Sequence, residues 1–259
     1  MSSEPEKAGA DLPPPPWERP AKRASSPARV PLSRDRIIDA AFTVLDREGF
    51  DRLSMRQVAA ELGVAVSALY AHVRDKDELL ELMHNRVFAD LPIPPPDPER
   101  WIEQVKQYAR EIRSRLRSHR DLARISMRQL PFTREMLPTV ERFFAILRAG
   151  GLPDDLVAAA ADMMSTYVEG FCYEETLWFE RKPQGDRFWE GLGEQLRGYF
   201  GALPPDRFPN LVAVSGSMFA MNNEERFERG LDIILRGLAT YADGADREGG
   251  RREDRPADR

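Results

Sequence analysis

Residues 61–78 read ELGVAVSALYAHVRDKDE, and three of them, Tyr70, His72 and Lys76, are donors gathered where a short helical stretch ends. Donors of this kind suit phosphate oxygens, and the free N–H groups of a helix opening after Asp75 add more of the same. Val64, Leu69 and Val73 have the spacing to face a small core, which leaves Val66, Ser67, Tyr70 and Ala71 pointing outward. Small outward side chains let a helix approach base edges, and apolar ones can touch thymine methyl groups. A helix that stops at Gly63 and restarts within three residues is the helix-turn-helix arrangement, whose second helix enters the DNA major groove.

Little other chemistry is encoded. The three histidines (His72, His84, His119) and the single cysteine stand far apart, without metal-ligand spacing, a nucleophile signature or a glycine-rich phosphate loop. The carboxylates read as helix-surface charge. No enzyme activity and no cofactor are expected. Cys172 lies in the apolar run YVEGFCYEE and reads as a buried, inert thiol.

The elements that position the donors are helical, because apolar residues recur three and four apart and no alternating strand pattern occurs. The first helix follows Ser33, carries Ile37, Ile38, Ala41, Phe42 and Leu45 on one stripe, and stops at Gly49. The second opens at Ser54, with Gln57 completing a capping box and Leu53 and Val58 forming a hydrophobic staple. A third is expected over about residues 66–73. Asp75 and Glu78 form the box of a fourth, whose buried face is Leu79, Leu80, Met83 and Val87.

LPIPPPDPE at residues 91–99 cannot continue a helix and marks a domain junction. The expected organisation is an N-terminal extension at 1–32, a DNA-binding domain with its linking fourth helix at 33–90, a larger helical domain at 99–243, and a tail at 244–259. The extension is rich in Pro, Ala and Ser, the tail in mixed charge, and both are expected to be disordered. With 42% apolar and 31% charged residues, the 259-residue chain has the balance of a globular protein, and no apolar run is long enough to cross a membrane. Early acids and prolines do not make a signal peptide, so a cytoplasmic protein with no membrane partner is expected. Residues 17–76 carry about +3 and the remainder about −8, so the positive end is the one with the helix-turn-helix.

RIIDAAFTVLDREGFDRLSMRQVAAELGVAVSALYAHVRDKDELLELM closely resembles the N-terminal domain of the TetR/AcrR family of transcriptional regulators. The likeness lies in the Gly-Phe close of the first helix, Ser-x-x-x-Val-Ala opening the second, the Leu-Gly-Val turn, Leu-Tyr-x-His-Val, and Lys-x-x-Leu-Leu in the fourth. AGGLPDDLVAAAADMMSTYVEGF and FERGLDIILRGL look like the family's dimerising regulatory domain. The resemblance implies an all-α protein: a three-helix DNA-binding domain plus a helical domain for dimerisation and ligand binding. At matching positions it implies DNA contacts by Met55, Arg56, Val66, Ser67, Ala68, Tyr70, Ala71, His72 and Lys76. Ala65 and Ala68 stand where many members carry hydroxyls, so Arg56 is expected to carry much of the hydrogen-bonded base readout. Arg29, with Lys22 and Arg23, lies where a flexible arm could reach the minor groove.

The implied function is a repressor released from a palindromic, double-stranded DNA operator by a small lipophilic effector. The alternative is a helical interaction module that does not bind an operator. A palindrome requires a homodimer, and the helices beginning at Pro153 and Asn222, apolar on more than one face, are the expected interface. Gln104, Tyr108, Met127, Phe144, Met163, Tyr167, Phe171 and Glu174 are the candidate effector-binding residues, being apolar or orienting groups on helices of the larger domain.

Overall fold

A computed structural model describes residues 31–180, 186–218 and 220–253. Eleven helices and no strand occur among the described residues. Residues from Arg34 onward form one compact unit. The expected N-terminal arm, including Lys22, Arg23 and Arg29, and the last six residues lie outside the described residues.

α1 (Arg34–Glu48) buries the stripe Ile37, Ile38, Ala41, Phe42 and Leu45. α2 (Met55–Leu62) is capped by Ser54, whose hydroxyl accepts from the Gln57 amide at 3.3 Å. The Gln57 side chain does not close the box but donates to Glu48 at 3.2 Å, tying α2 to the end of α1. Leu53 and Val58 are both buried, as a staple requires. Ser54→Ala should lower stability by about 1 kcal/mol, read as a lower urea midpoint with an unchanged slope.

Gly63 ends α2 with φ +64, and the amides of Gly63 and Val64 return to the last-turn carbonyls of Ala60 and Ala59. Open space surrounds its missing side chain, so the left-handed backbone alone calls for glycine. α3 (Val66–Leu69) is shorter than the spacing predicts. Ala65 offers no side-chain cap, and the chain continues from Tyr70 to His72 as turns, with the His72 and Val73 amides both bonded to Leu69 O. α4 (Lys76–Phe88) is capped by Asp75, whose carboxylate accepts from the Glu78 amide at 2.8 Å. Glu78 bonds back to the Arg74 amide, one residue before the cap.

α1 packs on α2 and α4, and α2 on α3. Beyond the proline-rich stretch, α5 (Trp101–Leu116), α7 (Leu137–Ala149) and α8 (Asp154–Glu180) pack against one another, while the five-residue α6 (Leu122–Ser126) lies against α4 and α8. α9 (Asp186–Gly201) packs on α10 (Pro209–Val214), a helix not anticipated from sequence. α11 (Asn223–Glu253) opens with a fully reciprocal box: Glu225 N donates to the Asn222 side chain at 2.9 Å, and Asn222 N to the Glu225 carboxylate at 3.0 Å. Phe227, Leu231, Leu235 and Leu238 form its buried stripe. The helix continues past residue 244, where the sequence led us to expect a disordered tail; once nucleated, a helix propagates at one backbone bond per added residue.

Candidate functional site

The helix-turn-helix presents a definite outer surface. Leu69 and Val73 are buried, whereas Ser67, Tyr70 and Ala71 are exposed, Tyr70 by 52%. Val66, Ala68, His72 and Lys76 are half-buried. Val64, expected in the core, is also only half-buried. Arg56 stands exposed on the first turn of α2, and no carboxylate pairs with it among the described residues. Arg52, which the motif reading passed over, is exposed and unpaired in the same way, two residues before the Ser54 cap. Met55 departs from expectation. It is 8% exposed, because the first residue of α2 turns its side chain into the core beside Val58 and Ala59. From there its side chain faces the core and not the outer surface.

The α1–α2 turn is held from the other side by residues around α6. Gly49 has φ +82, and a Cβ there would sit 3.1 Å from the Asp121 carboxylate and 3.2 Å from the Arg120 guanidinium. That carboxylate accepts from the Phe50 amide at 2.8 Å. Arg124 grips Asp51 through two nitrogens, at 2.8 and 3.2 Å, and its guanidinium lies 4.7 Å from the Phe50 ring centre. Lys76 lies over the same ring at 4.9 Å. His119 stacks on Phe42 and shares a 2.9 Å hydrogen bond with Asp46, which also accepts from the Arg120 amide. The α1–α2 turn and the end of α1 are thus tied to α6 and the residues leading into it.

The expected effector residues take several places, with Tyr167 and Phe171 6.0 Å apart between ring centres. Gln104 is buried, but its amide donates to Pro95 O at 2.7 Å and its oxygen accepts from the Asp97 amide at 3.0 Å, so it folds the proline-rich linker onto α5. Tyr167 donates to Phe227 O at 2.9 Å. Phe171 lies between the guanidinium groups of Arg113 and Arg226, and Glu174 pairs with Arg226 at 3.0 Å. These three join α8 to α11. Met127 and Met163 are 50% and 44% exposed, outside the core that their spacing suggested. Phe144 is half-buried on α7. Tyr108 stacks on Phe143 at 4.2 Å, and burial, with Glu169 nearby, pushes its hydroxyl up to about 12.

Glu169 was not singled out from sequence, where it is one acid among many on α8. Its carboxylate accepts from Ser126 Oγ at 2.7 Å, and no Lys, Arg or His pairs with it among the described residues. Burial raises its pKa, against the opposing hydrogen bonds of Ser126 and Ser165. Cys172, on the same helix, is buried, and burial foremost raises its thiol to about 12, which leaves it inert as expected.

Two open clefts, of about 500 and 530 Å³, lie elsewhere. One is walled by Arg74, Asp75, Glu78, Glu81 and Arg128, the other by Asp39, Phe42, Asp46, Arg86, Arg115 and His119. Their charges are largely satisfied within the chain: Arg74 by Glu78, Arg86 by Asp35 and Asp39, Arg115 by Glu111, His119 by Asp46. Both are lined mainly by charged and polar side chains, whereas a site for a lipophilic molecule is lined predominantly by apolar and aromatic ones.

Residues 37–83 match the family described as bacterial regulatory proteins, tetR family, and residues 94–242 match the tetracyclin repressor-like C-terminal domain. An HTH-type transcriptional regulator of Saccharopolyspora erythraea is 30% identical over 228 residues, covering 87% of this chain and 92% of the relative. The HTH-type transcriptional repressor DrrR1 of Streptomyces coeruleorubidus is 29% identical over 86% of this chain and 82% of its own length. Among solved structures, the TetR family protein ActR of Streptomyces coelicolor in complex with actinorhodin superposes with a TM-score of 0.73 at 41% identity, covering 80% of this chain and 95% of that one.

Proposed function

Since the chain belongs to the TetR family of transcriptional regulators, we propose that it is a homodimeric repressor that leaves a palindromic operator when a small lipophilic molecule binds its larger domain. The family consists of regulators and not of enzymes, and no helix among the described residues is long and apolar enough to cross a membrane. The similarity to a repressor, DrrR1, and to ActR, solved with actinorhodin, supports both halves of the reading.

The observation that carries it is the outer face of the helix-turn-helix. Ser67, Tyr70 and Ala71 project outward from a buried Leu69, flanked by the unpaired Arg56. A guanidinium without a carboxylate partner is free to form a bidentate pair with guanine. In this reading Arg56 and Ser67 meet base edges, with Val66, Ala68 and Ala71 close against them. Tyr70, His72, Lys76 and also Arg52 take phosphates. Met55 supports α2 from below. The 33–90 and 99–243 segments act as reading and sensing domains, and the molecule works in the cytoplasm, where its DNA lies.

Selection of duplexes from a random pool, followed by fluorescence anisotropy, tests this. A palindromic sequence should be recovered. Arg56→Ala should lose about 1–3 kcal/mol of binding and relax the preference at one base pair of each half-site. Recovery of no sequence, with only weak salt-sensitive binding, would favour the interaction module instead.

A further inference from the structure

We propose that Glu169 recognises a cationic amine on an aromatic effector, and that the amine draws the Glu169 carboxylate away from Ser126 at the end of α6. The inference rests on the ligand response proposed above and names the chemistry of its site.

Glu169 is a half-buried acid of the larger domain with which no Lys, Arg or His pairs among the described residues. Arg113 serves Glu175 and Glu224, Arg226 serves Glu174, Arg110 serves Glu103 and Glu228, and Lys106 serves Asp232. Glu169 has hydroxyls only, those of Ser126 and Ser165. Two neutral donors compensate a half-buried carboxylate poorly, whereas an ammonium forms a charge-assisted bond about twice as strong as a neutral one. An effector hydroxyl would merely repeat what Ser126 already supplies. The nearby Tyr108 ring, stacked on Phe143, gives the aromatic part of such a molecule a wall and its cation a π face.

The position of Ser126 gives occupancy a consequence. Ser126 is the last residue of α6, and it is 2% exposed. Asp121, at the other end of this helix, holds the Phe50 amide, and Arg124 between them holds Asp51. Asp121 stands at φ +57, and its second oxygen is buried without a hydrogen-bond partner. A left-handed, half-satisfied residue at a joint is the kind of anchor that yields when its helix shifts. Loss of the Ser126 bond frees α6 at one end, and the strained end is the one that grips the helix-turn-helix.

The full-length protein should be titrated, by calorimetry and ligand fluorescence, with 9-aminomethylanthracene and with 9-anthracenemethanol, which differ only in ammonium against hydroxyl. The wild type is expected to bind the amine about 10-fold or more tighter than the alcohol, and Glu169→Gln to abolish that preference. Ser126→Ala, which removes the competitor, should tighten amine binding by about 2- to 5-fold and decides the matter if Glu169→Gln does not fold. Equal binding of the two probes, binding of neither, or a preference that survives Glu169→Gln overturns the proposal. Operator release is read separately. An amine that binds through Glu169 yet leaves the operator complex intact upholds this site and refutes the response, whereas release by the alcohol without amine preference does the reverse.

Discussion

Arg113→Ala is expected to destabilise the larger domain by about 3 kcal/mol or more, among the largest effects of any single side-chain truncation in the chain. Arg113 is only 4% exposed and lies where α5, α8 and α11 meet. It donates to both oxygens of Glu175 on α8, at 2.7 and 3.2 Å, and to Glu224 on α11. The rings of Phe171 and Phe227 cover its guanidinium at 5.3 and 4.6 Å. Removing the cation leaves Glu175, whose side chain is 13% exposed, buried without compensation. Glu224 is 67% exposed and falls back on Arg117 and solvent, so most of the cost comes from Glu175. Arg113→Lys should recover little, since an ammonium cannot present the fork that serves two carboxylates at once. Arg113→Met combined with Glu175→Leu should recover much of the loss, because an apolar pair of similar volume avoids the desolvation of both charges. Urea midpoints for the four proteins check this; a single Arg113→Ala within 1 kcal/mol of wild type would show that Glu175 is well solvated.

Such a network could not be read from the sequence, while the reading domain largely could. Ser54 with Gln57, Asp75 with Glu78, and Asn222 with Glu225 are partners three residues apart, so the cap is encoded in the few residues that form it. Gly63 and the staple pair Leu53 and Val58 are local in the same sense. Local signals still mislead where tertiary packing decides. Met55 follows a strong cap and looks available to DNA, yet only the placement of α1 shows that its side chain turns inward.

In the larger domain the deciding partners are distant. Arg113 meets Glu175 and Glu224 across 62 and 111 residues, Ser126 meets Glu169 across 43, and Phe50 meets Asp121 across 71. A polar residue on an apolar helix face looks the same in sequence whether it orients a ligand or seals a joint. Gln104 and Glu174 have the latter role, bonded to the Pro95 carbonyl and to Arg226. Glu169 is hidden for the converse reason: acids are common on α8, and what sets it apart is that it is half-buried while no Lys, Arg or His pairs with it among the described residues.

Ile233→Asp is expected to convert the protein to monomers and to weaken operator binding by about 100-fold or more, since a single half-site contact falls back toward the non-specific range. α11 buries Leu231, Leu235 and Leu238 against its own subunit, yet Ile233 and Tyr241 are 67% and 56% exposed on another face. Gly237 lies between them, and nothing stands within 4 Å of the position its Cβ would take. α8 repeats the pattern with Met163, Gly170 and Leu177 along one side, again with open space at the glycine. Two long helices with apolar outer stripes and uncovered glycines can approach a second copy closely, and a two-fold interface doubles every substitution in it. Aspartate at position 233 therefore brings two carboxylates into an apolar contact, whereas Ile233→Val should leave assembly nearly unchanged. Sedimentation velocity and operator anisotropy on the same samples separate the two effects. Retention of a dimer with full operator affinity in Ile233→Asp would place the interface on other helices. A monomer that kept full affinity would remove the need for two joined reading domains.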